Sequence, residues 1–240
     1  MHILDLGLYQ SVAGSCLYEL VNEGVWTHKE DAGFKAAHVA YKEWCKDRGL
    51  PPCPMFDAKK IKGSATSYPE FGQQSAKASM IKHIMYWLKD VLSQPGVSAG
   101  FHGCCRRSMI DAFCAFEDVL ATHGRFLPVA SRVAAADYME KALLHLNRLH
   151  GEALEKREFI WHIAPKSHMA THMVYDFTAE GVNPRRVTCY ADEDMVGRVK
   201  RIVQQCHGTT AGTRAIERYV ILVGTRWWTR LAKLRGIRVT

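Results

Sequence analysis

Cysteine pairs at metal-binding spacing are missing from this sequence. Its eight cysteines, Cys16, Cys45, Cys53, Cys104, Cys105, Cys114, Cys189 and Cys206, include no C-x-x-C, which argues against zinc fingers and ribbons. Most lie in apolar helical stretches, where reduced cysteine behaves as a small hydrophobe. Cys104-Cys105 beside His102, with Cys114 further on, is the one grouping that could ligate a soft metal, and its spacing is wrong for a zinc site. No apolar run reaches the roughly 18 residues of a membrane span, and no basic-then-apolar leader opens the chain. A soluble intracellular protein with no membrane partner is expected. There is no phosphate-cradling glycine loop and no Rossmann fingerprint, so kinase and dinucleotide chemistry fall away. Internal repeats and low-complexity tracts are absent as well.

What is present is apolar periodicity. Hydrophobic residues make up 48% of the 240 positions, enough to bury one large core or two small ones. Residues 3–23 suggest a buried helix around the small residues Gly7, Ala13 and Gly14. Residues 30–48 repeat Phe34, Ala37, His38, Tyr41, Trp44 and Cys45 at helical steps and stop at Gly49-Leu50-Pro51-Pro52. A connector from Pro51 to Pro69 follows. Further helices are expected at about 74–93, about 104–122 and about 130–159, the last broken or bent near Gly151.

From Ile160 the texture changes. A helix carries His168 and His172, four residues apart on one face, without the glutamate that makes HExxH a metalloprotease motif. A short strand is expected from Arg186 to Tyr190, then a helix from Asp192 to Cys206, then one from about 211 to 234, with Thr209 or Thr210 as N-cap. The chain thus reads as mainly α, divided at 1–160 and 161–240.

Residues 181–240 hold twelve arginines and lysines against four carboxylates, an excess of +8 that equals the net charge of the whole chain. An arginine-rich end is the footprint of a surface that meets phosphates. Arg185, Arg186, Arg198, Lys200, Arg201, Arg214, Arg218, Arg226 and Arg230 are its candidate nucleic-acid contacts. Within it, Asp192, Glu193 and Asp194 stand at a helix start, where exposed N–H groups offset their mutual repulsion. At 100° per residue, Glu193 falls about 120° from the Met195, Val196, Val199, Ile202, Val203 stripe. Asp192 would point into that stripe, which makes it the better cap.

Two stretches resemble one family. Met1-His2-Ile3-Leu4-Asp5-Leu6-Gly7-Leu8-Tyr9-Gln10, with Val12-Ala13-Gly14-Ser15, is similar to the segment that follows the second catalytic aspartate of CACTA-type and Kyakuja-Dileera-Zisupton-type DNA transposases. Pro165-Lys166-Ser167-His168, His172, Glu193, Gly197 and Lys200 resemble their segment bearing the third catalytic acid. The resemblance implies a helical insertion domain over 1–160, then a strand and two helices of a partial RNase H-like core. It implies Glu193 as catalytic acid and metal ligand, with Asp192 and Asp194 as competitors and His168 and His172 in support. Mg²⁺ or Mn²⁺, DNA as partner and a nuclear location are implied with it. The two aspartates of such a site are not in this sequence, so neither strand transfer nor metal binding is expected of this chain alone. Two other functions stay open: a helical nucleic-acid-binding module using the arginine-rich end, and a helical scaffold whose basic end meets an acidic partner.

Overall fold

A computed structural model describes residues 4–72, 76–163, 165–186, 200, 202–206 and 211–234. The chain forms two compact units, Met1–Thr188 and Cys189–Thr240.

In the first unit a π-helical turn, Leu4–Leu8, leads into α1, Tyr9–Asn22. The faces of α1 carry Val12, Ala13, Cys16, Leu17, Leu20 and Val21, all buried, because other elements pack around it on several sides. Gly14 lets one of them come very close. A Cβ there would lie 2.6 Å from the Glu70 Cα, and the Phe71 amide donates to the Gln10 carbonyl at 3.2 Å. Helix α1 ends at Gly24 (φ 76°), whose conformation lets the Val25 amide reach back to the Leu20 carbonyl.

Helix α2, Glu30–Asp47, buries Phe34, Ala37, Tyr41 and Cys45 at the spacing read from the sequence. The connector after it hides a short helix, α3, Ala58–Ile61, nucleated by Asp57, whose Oδ1 accepts the Lys59 amide at 2.9 Å. Helix α4, Ala78–Leu92, buries Ile81, Ile84, Met85, Trp87, Leu88, Val91 and Leu92. Trp87 meets Tyr41, Phe56 and Trp26 in an aromatic cluster.

Helices α5, Gly100–Thr122, and α6, Val129–Glu155, form the most extensive pair. They run antiparallel: His102 at the start of α5 meets Glu152 near the end of α6, and Ser131 at the start of α6 meets His123. Helix α6 passes Gly151 without interruption and stops at Glu155 rather than Phe159. Its stop is Arg157, at φ 57°, with the Glu158 amide bonded to Ala153 O and the Arg157 amide to Leu154 O. This is the left-handed C-terminal motif usually served by glycine, so nothing in the local sequence announces it.

Helix α7, Pro165–Glu180, packs on α6 and on the π-helical turn. Beyond Gly181 the chain makes one isolated antiparallel bridge, Phe126 to Val182. The expected strand does not begin at Arg186, which sits in a 3₁₀ turn, Pro184–Arg186. Asn183 imposes that turn: its Oδ1 accepts the Arg185 amide at 3.0 Å, and its carbonyl accepts the Arg186 amide at 2.9 Å. Residues 187–190, the rest of that strand, lie outside the described residues. The fold is mainly helical, with no further strand pairing among them.

In the second unit residues 200 and 202–204 are helical, and α8 spans Ala211–Leu234, matching the sequence reading.

Candidate functional site

The acids at the centre of the sequence argument, Asp192, Glu193 and Asp194, lie outside the described residues, as do Arg198 and Arg201. Lys200 is helical and exposed. Arg226 and Arg230 belong to α8, where Arg214 and Arg218 are exposed. Arg214 pairs with Glu217 one turn on, at 3.2 Å. That pair is solvated and contributes little.

Arg185 and Arg186 belong to the first unit and are exposed, each with a protein contact. Arg185 Nη1 stands 4.0 Å from Glu117 Oε2, and Arg186 Nη2 donates to the His123 carbonyl at 3.4 Å. Glu117 is nearly buried and also accepts the Tyr9 hydroxyl at 3.0 Å and pairs with Lys82 at 3.0 Å.

His168 and His172 do come together, on the exposed face of α7, with Nε2 atoms 2.9 Å apart and rings at 89°. As neutral rings, one donates and the other accepts. Two nitrogens at this separation would also subtend about 90° at a metal about 2.05 Å from each, but no group of three metal-ligating side chains occurs among the described residues. Beside His168 lies a pocket of about 240 Å³ lined by Leu143, Leu146, Asn147, Ile163, Ser167 and Thr171. This is why Leu143, one turn from the buried Met139 and Leu146 on α6, is only half-buried.

The cysteine grouping is not a metal site. Cys105 and Cys114 are buried and Cys104 is exposed, and burial pushes the Cys114 thiol well above its ordinary range. Both ring nitrogens of His102 are held by carboxylates, Nδ1 by Glu152 at 2.6 Å and Nε2 by Glu19 at 3.0 Å.

That histidine belongs to a network the sequence reading missed. Arg106, 1% exposed, donates to both Glu23 oxygens at 2.7 Å and to Glu19 at 3.0 Å. Trp161 Nε1 donates to Glu19 at 2.7 Å, and the Trp161 amide to Ser15 at 3.2 Å. Burial disfavours the charged form of Glu19, but hydrogen bonding and charge from His102, then Arg106, outweigh it and lower its pKa. His102 is raised, first by the bond to Glu19 and then, against burial, by Glu152. A signal existed: Glu19/Glu23 and His102/Arg106 are each i,i+4 polar pairs on helices otherwise rich in apolar residues. With its carboxylates engaged and both imidazole nitrogens bonded, the network clamps α1, α5 and α6 together.

The sequence also contains one nucleophile-elbow word, Gly96-Val97-Ser98-Ala99-Gly100. The structure sets it between α4 and α5 with Ser98 Oγ donating to the Leu92 carbonyl at 2.7 Å. The strand-to-helix turn that gives the motif its meaning is not there.

Comparison with known proteins returns no match: no family model, no curated protein and no solved structure aligns with the chain. No helix among the described residues is long and apolar enough to cross a membrane.

Proposed function

We propose that this chain is a transposase-like helical segment whose basic C-terminal unit contacts nucleic-acid phosphates. The observation that carries the contact is α8: residues 211–234 hold Arg214, Arg218, Arg226, Arg230 and Lys233 against Glu217 alone, and Arg214 and Arg218 are open to solvent. Guanidinium groups in that setting position a phosphate backbone without reading bases. Helix α7, with its histidine pair followed in sequence by the acidic triplet, supports the transposase side of the reading through its order along the chain.

In that reading residues 161–240 derive from an RNase H-like core, and Glu193 supplies one of three acids. Carboxylate oxygens are the donors that Mg²⁺ or Mn²⁺ takes; bound by all three acids, such ions would activate the attacking hydroxyl and stabilise the leaving oxygen. Nucleic-acid contact through α8 is the part of this reading that the chain's own described residues support.

Gel-shift titrations of the whole chain at several ionic strengths test the contact. Affinity should fall steeply with salt, and absent or salt-indifferent binding rejects it. In a chain that also carries the two aspartates, Glu193→Gln should abolish Mn²⁺-dependent strand cleavage while leaving the fold intact. Retained cleavage would return the acidic triplet to helix capping.

A further inference from the structure

Helix α8 exposes two adjacent indoles, Trp227 at 65% and Trp228 at 73%. The other four tryptophans are all more covered: Trp87 is 2% and Trp161 1% exposed, and Trp26 and Trp44 are half-buried. Contact with phosphates calls for no aromatic surface, so the indoles are unexplained by the arginines beside them.

Their register adds a second observation. Helical side chains cover the turn N-terminal to their own Cα, and for residues 227 and 228 that turn contains Gly224, at i−3 and i−4. At 100° per residue Gly224 falls between the two indole positions. A Cβ built on Gly224 meets nothing within 4 Å. A glycine in a helix interior is less favourable than alanine by up to about 1 kcal/mol, and here no close packing requires it. The result is a bare notch bordered by two exposed indoles on a cationic helix.

We infer that this notch takes unpaired bases of a single-stranded nucleic acid, which stack on Trp227 and Trp228 while Arg214, about 20 Å along the helix and within about 40° of Trp228, holds a phosphate a few nucleotides away. The inference rests on the nucleic-acid reading above and narrows it. Every base offers a π face, so stacking is tolerant of sequence. In a duplex those faces are already stacked on one another, so single strands are preferred. Charge selects this occupant over a second copy of the chain. Pairing two copies of α8 would bring together helices that each carry a net charge of +4.

The test is fluorescence anisotropy of the whole chain with labelled oligothymidylate of about 20 nucleotides and with a duplex of equal length. The single strand should bind more tightly. Trp227→Ala and Trp228→Ala should each weaken it by about 5- to 150-fold, with the phenylalanine variants retaining most of the affinity and duplex binding unchanged. Gly224→Ala should raise Tm, as a better helix former, and yet weaken single-strand binding by filling the notch. Equal binding of both nucleic acids, indifferent to the indoles, overturns the inference and leaves the phosphate contact standing. No binding to either at low salt overturns both. A dimer in light scattering that Trp227→Ala dissociates, or indole-dependent binding to phosphatidylserine vesicles in place of the oligonucleotide, assigns the indoles elsewhere and overturns it too.

Discussion

Gly14 and Gly151 both sit inside helices, and the same substitution should act on them with opposite sign. At Gly14 a methyl group would stand 2.6–2.8 Å from the backbone of Pro69 and Glu70, atoms that cannot rotate away. Gly14→Ala should therefore destabilise by about 1–3 kcal/mol through overpacking. Around Gly151 there is open space, so Gly151→Ala should stabilise by about 0.5–1 kcal/mol. Thermal melts of the two variants check both; matching signs would refute the packing account of Gly14. Asn183, fully buried, is a third sensitive position. Its Nδ2 donates to the carbonyls of Leu120, His123 and Gly124 at 2.8–3.2 Å, closing the C-terminal end of α5. Asn183→Ala leaves those carbonyls short of a donor, at about 1–3 kcal/mol. Asn183→Asp should be worse, because it turns a carboxylate oxygen toward them; urea midpoints in the reverse order would show that the amide is not the cap.

Three helices meet at the Glu19, Glu23, His102, Arg106, Glu152 network, and its titration belongs to that assembly. His102 has its pKa raised by its two carboxylate partners. Its contribution is therefore complete below the unfolded value near 6.5 and is lost as pH rises through the folded value. Glu19 is lowered, so its contribution is complete above the unfolded carboxylate value and is lost as pH falls through the folded one. Between roughly pH 4.5 and 6.5 both operate. Tm measured against pH should fall on the alkaline side in the parent and lose that component in His102→Gln. A difference curve that stays flat above pH 6.5 would disprove the clamp. The i,i+4 polar pairs were legible locally but their pairing across helices was not, because Arg106 lies 83 positions from Glu23 and 87 from Glu19. Periodicity did reveal α2, α4 and α8, whose apolar steps run over three turns or more. It passed over α3, which at four residues has no period to detect, and it overran α6, which ends on a left-handed arginine instead of a glycine. At Arg186, the first residue of the expected strand, Asn183 imposes a turn through side-chain bonds that compete with an extended backbone. The acidic triplet, outside the described residues, was legible as sequence only, and the role proposed for it rests on order along the chain.

At the scale of the whole molecule the charge is lopsided, and that asymmetry makes the proposed phosphate surface locatable. Unit Cys189–Thr240 carries ten cations and four carboxylates, whereas unit Met1–Thr188 is close to neutral. The first unit still has a cationic feature, an open groove of about 630 Å³ bordered by Lys29, Lys35, Lys59 and Lys62. Glu30 and Asp31 line the same groove and offset half of that charge. Salt titration can tell the two surfaces apart, since each phosphate contact contributes about 0.9 to the slope of log K against log salt on duplex DNA and about 0.7 on single strands. Replacing Arg214 and Arg218 by glutamine should reduce the duplex slope by nearly 2 and weaken binding across sequences alike. Both side chains are exposed, so the circular dichroism spectrum and Tm should stay close to the parent's. Replacing Lys35 and Lys59 should leave the slope almost unchanged, because the groove's own carboxylates already partner its field. A slope lowered by the lysine pair and untouched by the arginine pair would move the nucleic-acid surface onto the first unit. It would also remove the basis for placing unpaired bases on α8.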